Sequence, residues 1–594
     1  MSCRVSLVRY ASAAGALDRV VRELQHADPL TPVTVVVSSR RIAYALRHSL
    51  ARERTDDGRS GIANVRFLTL ADLADELGGT ASRAGGRRRL TRSALGAAAR
   101  VVLASDAGVL FAVAEQPSTE AELVALYEEL RHSGGEELEG LARRGAFCRE
   151  LARLCRAMRA NLETDWYDDA DLIEAAIETT DATGAADVIG RNVVVHLPER
   201  AESDECRLVS AIAHSCNLVI HVGTTGDVVA DSPSWRVVEA LRNSGLDAPF
   251  PLRAADEERT ILDDTVNVTE RIEAPDVDAE VRAALRIVID HIEHGGAPTR
   301  VAVLYPSAQT YLAALAAALD EADIAWNGPS PRRVAESAAR ALLGIVELTE
   351  HGLARDRLMG WINSAPIVDA NGRPVPAGAF ERVSRLAGVT AGGAAEWHRH
   401  LRQLITDRER RVAALDREIS RDEGVQSRES RAVADLAAAI ALDAFIDEIA
   451  RTCDDAMACR AWSELEAWAR RVLRRYLAWT DELEDDREGT DARIDVALAE
   501  LGRLDSIEPV ASIAAFGRAL AATLERTSTY EGRLSYGVAV RSLWGAVGLD
   551  LDLAVVLGGV EGELPPRARS SPLLSSDDRA ALGLEAATSE AVSA

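Results

Sequence analysis

Two α/β lobes built on parallel sheets, each interrupted by a long helical insertion, are what this sequence predicts. Three observations lead there. Short apolar runs without alternation, among them PVTVVV, NVVVHLP, NLVIHVG and RVAVLYPS, read as strands buried on both faces, and amphipathic helical patterns separate them. Strand signals vanish over two long stretches, about 84–183 and about 355–500, which read as helical insertions. At 594 residues the chain exceeds what one core fills, so several domains are expected.

The first lobe is expected over 1–226. It opens with a strand from Val5 to Tyr10, a helix with its apolar face through Ala16, Val20, Val21 and Leu24, and a strand ending at Val37. Asn64 to Leu70 reads as another strand, and ADLADELG starts a helix. Within the insertion, Thr119 and Glu122 have capping-box spacing ahead of LVALYEEL. Strands return at Asn192–Pro198 and Asn217–Gly223, with RLVSAIAHS as the helix between them; strands alternating with helices imply a covered parallel sheet.

Polar, Pro- and Asp-punctuated sequence over 227–269 reads as the connection between the lobes. The second lobe is expected over 270–585, before a tail at 586–594. It begins with a strand and helix in IEAPDVDAEVRAALRIVIDHIEHG, followed by the strand ending at Tyr305, a helix in YLAALAAALDEA and a turn in AWNGPS. In the second insertion, Arg470 to Arg475 lie between Trp468 and Tyr476 with the apolar spacing of a core face and a basic exterior.

Composition narrows the function classes. No run of about 18 apolar residues is present, and no signal or lipidation motif opens the chain, so a cytoplasmic protein is expected. The seven cysteines form no CxxC pair and are expected to be reduced core thiols. A net charge of −26 argues against nonspecific coating of nucleic acid, while leaving room for a channel lined by local arginines. The chain has no lysine, so all 68 basic residues are arginine. A phosphate-binding loop of the Walker A type needs a lysine ammonium at the β and γ oxygens, which excludes a working one here.

The segment from Leu534 to Pro565 reads as a strand, a sharp polar turn, a second strand and an acidic Gly-Glu-Gly-Glu loop. Its Trp544, Val547, Gly548, Leu549 and Asp550, then Gly559, Glu561, Gly562, Leu564 and Pro565, resemble two motifs of UvrD- and RecB-type superfamily 1 helicases. The framework is similar, but Trp544 and Val547 replace the histidine and lysine of active motors. The order of the blocks along the chain resembles AddB-like proteins of the PD-(D/E)XK nuclease family. That resemblance implies two RecA-like lobes of superfamily 1 type, and ATP and magnesium as the cofactors of active relatives.

It also implies a degenerate nucleotide site. Gly15 stands in RYASAAGALDRV where the phosphate loop would be, and Leu197 or Pro198 stands where a magnesium-binding Asp is expected, leaving only Glu199 nearby. Pro306 takes the place of a γ-phosphate arginine, with Gly548 and Asp550 at the turn of the second lobe. No catalytic residue, bound cofactor or metal is therefore expected. For DNA the candidates are Arg87, Arg88 and Arg89, which read either as a strand-binding cluster or as a solvated loop, and Trp544, either a base-stacking residue or a core one. No nuclease or iron-sulfur cysteine set is found.

The resemblance implies a catalytically degenerate, DNA-binding subunit of a helicase-nuclease in recombinational double-strand break repair. Its partners would be single-stranded DNA and a UvrD/AddA-like helicase, with no membrane involved. The alternatives are an active ATP-dependent helicase or exonuclease subunit, and a nonfunctional remnant truncated before its nuclease domain.

Overall fold

The computed structural model describes residues 2–52, 61–132, 136–199, 201–227, 230–250, 270–330, 336–390, 392–415, 423–478, 487–526, 530–534, 536–564 and 571–582. The chain divides into two compact units. Met1–Leu90, Val102–Pro331 and Tyr530–Ala594 form an α/β unit, and Thr91–Val101 with Arg332–Thr529 form a helical one.

The α/β unit holds two five-stranded sheets. The first contains β1 (Cys3–Arg9), β2 (Val33–Val37), β3 (Val65–Thr69) and, after short strands β4 (Arg88–Arg89) and β5 (Trp166–Tyr167) of the insertion, β6 (Asn192–His196) and β7 (Asn217–Thr224). All five are parallel, in the order β1-β7-β6-β2-β3. Every residue of β2 is buried, as an apolar run covered on both faces requires. Helix α1 (Ala13–Leu24) buries Ala13, Ala16, Leu17, Val20 and Val21, one stripe at helical spacing. α2 (Arg40–Arg52) follows β2, and α3 (Leu70–Ser82) starts at a reciprocal capping box between Thr69 and Asp72.

The second sheet contains β8 (Val301–Tyr305), β9 (Trp326–Pro329), β10 (Tyr530–Glu531), β11 (Val538–Ser542) and β12 (Leu553–Val556), in the order β10-β9-β11-β8-β12. Only β10 runs antiparallel. β11 and β12 flank β8 across more than two hundred residues of intervening chain; β8 and β11 are buried along nearly their whole length, whereas β12, at the edge of the sheet, buries only Val555.

Several elements differ from the sequence reading. AWNGPS is not a turn but contributes β9: a Cβ on Gly328 would stand 2.7 Å from the Val540 carbonyl oxygen, so close approach of β11 rather than turn chemistry selects this glycine. The first insertion is not wholly helical, since β4 pairs with β5. Its helix at Thr119 begins earlier, at Pro117, and Glu122 accepts a hydrogen bond from Ser571 at 3.1 Å. The expected connection contains a helix, Ser232–Asn243, whose Val237, Val238 and Leu241 are buried; residues 251–269 lie outside the described ones. The strand expected at the start of the second lobe does not form over 270–276, and the Val277–Glu293 helix that follows is capped by Asp276.

The helical unit runs through helices from Glu336–His351 to Ile513–Arg526. Its core holds Trp397, Trp462, Trp468, Tyr476 and Phe516, all fully buried. In Trp462–Tyr476 the apolar stripe faces inward, while Arg470 pairs with Glu466 at 3.0 Å. Gly360 lies exposed within the Arg355–Ser364 helix, and a Cβ there would meet nothing within 4 Å. Gly360→Ala is therefore expected to stabilise the helical unit by about 1 kcal/mol, measured as a rise in its urea midpoint.

All seven cysteines are free thiols. Among the described residues no helix is long and apolar enough to cross a membrane.

Candidate functional site

Open parallel sheets receive ligands at the carboxyl ends of their strands, between neighbours whose connections run in opposite directions. In the first sheet that crevice lies between β2, which leads on to β3, and β6, which leads back to β7. Its mouth is apolar. Leu197, directly after β6, is 2% exposed and has φ +56°, a left-handed conformation that strains a bulky side chain. Gly548 comes against it from the turn before β12: a Cβ there would stand 3.4 Å from Ile42 Cγ2 of α2 and 3.6 Å from Leu197 Cδ1. At φ +86° Gly548 takes a backbone conformation that its lack of a side chain allows.

Beside the crevice, Tyr10, Glu199 and Gly223 close the ends of β1, β6 and β7. The Gly223 amide donates to Glu199 Oε1 at 2.9 Å, and a Cβ on Gly223 would collide with both the Tyr10 ring and the Glu199 carboxylate. Burial raises the Glu199 carboxyl above its ordinary range, and burial followed by the Glu199 charge raises the Tyr10 hydroxyl. The loop after β7 folds around buried Asp231, which accepts from Thr224 Oγ1 at 2.5 Å, the Thr225 amide at 2.6 Å and the Gly226 amide at 2.9 Å. Gly15 lies inside α1, where its Cβ position meets only Arg19 Nη1, at 4.0 Å.

At the end of β8, the Pro306 ring lies 2.6 Å from the Cβ position of Gly558. The Gly558 amide and the Tyr311 hydroxyl both donate to Glu280, at 2.8 and 3.0 Å. Of the positions expected around the nucleotide, Glu199 and Pro306 are thus committed to local hydrogen bonding or packing, and Gly15 is a residue within α1. Gly548, besides closing this crevice, lines a second space together with Asp550.

That space is a cleft of about 300 Å³ between α2 and the second sheet, lined by Arg41, His48, Arg300, Asn327, Arg541 and Asp550 among others. Strand alternation places it. Val538 and Val540 of β11 point into the main core of the sheet, while Ala539 and Arg541 point to the opposite face. Arg541 is 6% exposed and donates to Asn327 Oδ1 at 2.7 Å, while its Nε and Nη1 have no hydrogen-bond partner among the described residues. Arg41 and Arg541 both lie over the Tyr530 ring, at 4.5 and 5.2 Å from its centroid. Burial and then the like charge of Arg41 pull the Arg541 guanidinium down to about 10. Asp550 does not compensate this pair, because Arg300 takes both its oxygens at 2.6 and 3.0 Å and also reaches Asp552 at 2.8 Å.

No family model and no curated protein matches this chain.

The other sequence candidates lie elsewhere. Arg87 donates to the Trp166 carbonyl at 2.7 Å and to Asp171 at 3.1 Å, and Arg89 to Asp169 at 2.7 Å, so both tie β4 to the segment around β5. Arg88 is exposed. Trp544 sits in a short 3₁₀ turn after β11, and its side chain lies outside the described residues. Sequence reasoning passed over Arg41, Asn327 and Arg541. The signal for Arg541 was present in VAVRS, where a charge falls on a strand otherwise fit for burial on both faces.

Proposed function

We propose that this protein is a catalytically degenerate, helicase-like DNA-binding subunit with two RecA-like lobes, working in the cytoplasm within a helicase-nuclease for recombinational double-strand break repair. It would hold single-stranded DNA for a partner helicase of the UvrD/AddA type. The reading rests first on the resemblance of the Leu534 block and of the block order. The observation that best supports its degenerate character is the apolar closure of the first-sheet crevice by Leu197, Ile42 and Gly548.

These residues do not fit a magnesium nucleotide. Leu197 and Pro198 carry no oxygen on their side chains for a metal, and Gly15 is a helix residue rather than part of a phosphate cradle. Glu199 is held by Gly223 and Tyr10, away from the role of a water-orienting base. Phosphoryl transfer depends on positioned cations and a metal clamp, and Leu197, Ile42 and Gly548, which close this crevice, supply neither. An active motor is the reading these features oppose.

ATP hydrolysis by the purified protein is expected to stay at background with and without single-stranded DNA. Binding of a labelled oligonucleotide, followed by fluorescence anisotropy, is expected to weaken steeply as salt rises. DNA-stimulated turnover that disappears in Glu199→Gln would overturn the degenerate reading, and no oligonucleotide binding at any salt would overturn the DNA-holding one.

A further inference from the structure

We infer that Arg41 and Arg541 form a seat for a phosphate group, bound without a metal ion, in the cleft between α2 and the second sheet. The assignment deepens the DNA-holding reading and rests on it for the source of the phosphate, a single-stranded DNA backbone.

Four features carry it. Arg541 is buried, yet two of its guanidinium nitrogens have no partner among the described residues, and a buried charged group left that way is costly to fold around. Arg41, on α2, brings a second positive charge to the same Tyr530 ring. Neither arginine has a carboxylate partner among the described residues, although the chain carries 94 acidic residues. The one described acid lining the cleft, Asp550, is already bound by Arg300. Two neighbouring guanidinium groups match the geometry and charge of a phosphate, and low local dielectric strengthens the hydrogen bonds they make.

The free Nε and Nη1 of Arg541 are the donors the anion would take, while Asn327 holds Nη2 and fixes the plane of the guanidinium. The Tyr530 ring lies within cation–π distance of both guanidinium groups and supplies no negative charge of its own. A single phosphate therefore satisfies the buried donors and separates two like charges that otherwise repel.

The test uses inorganic phosphate and an oligothymidylate with the full chain in magnesium-free buffer. Phosphate binding is read from broadening of its phosphorus resonance, and oligothymidylate binding from anisotropy. Arg41→Ala leaves the buried residue untouched and is expected to weaken both ligands about tenfold. Arg541→Met, checked for folding by circular dichroism, is expected to abolish phosphate binding. Oligothymidylate displacing bound phosphate identifies the DNA backbone as the source. Phosphate binding lost in Arg41→Ala, without displacement by oligothymidylate, keeps the seat but assigns it to a free phosphate compound. Oligothymidylate binding by the parent protein that Arg41→Ala leaves unchanged, together with no phosphate binding, overturns the seat while leaving the DNA-holding function standing.

Discussion

Lowering the pH from 7 to 5 is expected to destabilise the α/β unit by about 4 kcal/mol, through two histidines in the middle of the first sheet. His196 of β6 and His221 of β7 are each 2% exposed, with their Nδ1 atoms 3.2 Å apart and their rings edge to face. Burial, then His221, pulls His196 down to about 3, and burial, then Arg4 and Arg19, pulls His221 down to about 4. Both are neutral in the folded chain, whereas the unfolded chain protonates them below their ordinary 6.5. Their contribution is therefore complete above pH 6.5 and is lost as the pH falls toward 4. Glu199, whose carboxyl is raised by burial, acts in the opposite sense at the acid end.

Urea denaturation at pH 7 and pH 5, followed by hydrogen exchange at β6 and β7, measures the effect. Replacing the pair by His196→Leu with His221→Leu removes both polar partners together and is expected to flatten the pH dependence. An equally steep loss in the double variant would place the acid sensitivity elsewhere.

Gly78→Val is expected to cost the same unit about 3 kcal/mol or more, by wedging two helices apart. Gly78 lies on α3 against the Asp169–Thr183 helix, where a Cβ would collide with the Ala176 amide nitrogen and stand 2.7 Å from the Leu172 carbonyl oxygen. Backbone atoms cannot swing aside as a side-chain end can, so the helices must separate and open the core containing Leu73, Leu77, Leu172 and Ala176. A lowered urea midpoint with loss of exchange protection in both helices is the expected result. Unchanged stability would mean that this contact is not close in solution.

Strands such as VTVVV and VAVLY were legible because they are buried on both faces and leave little ambiguity of period, whereas the two-residue β10 was not read from the sequence. Asn327 and Gly328 were not, since turn-forming residues had been recruited to a strand by the neighbouring backbone, a tertiary effect with no local signature. The Ser232–Asn243 helix was obscured by its polar flanks, though Val237, Val238 and Leu241 carry its apolar side. For the site, sequence identified the missing cations of a nucleotide cradle. It directed attention to the dense run Arg87–Arg89, two of whose members are held by carboxylates, instead of to isolated Arg541, whose importance depends on having no carboxylate beside it.

The strand order of the second sheet sets the timing of its assembly on a growing chain. β8 is flanked by β11 and β12, and β9 by β10 and β11, so neither early strand neighbours the other. All their partners lie in residues 530–556, about two hundred residues downstream. As the chain leaves the ribosome, VAVLY and WNGP must wait with both edges bare while the helical unit is made, the condition under which apolar strands recruit foreign partners. Closing so distant a pairing is also slow. The last strands to be synthesised thus act as the clasp of a sheet begun much earlier, and interrupting translation before residue 530 would leave an aggregation-prone half-sheet instead of a smaller folded protein.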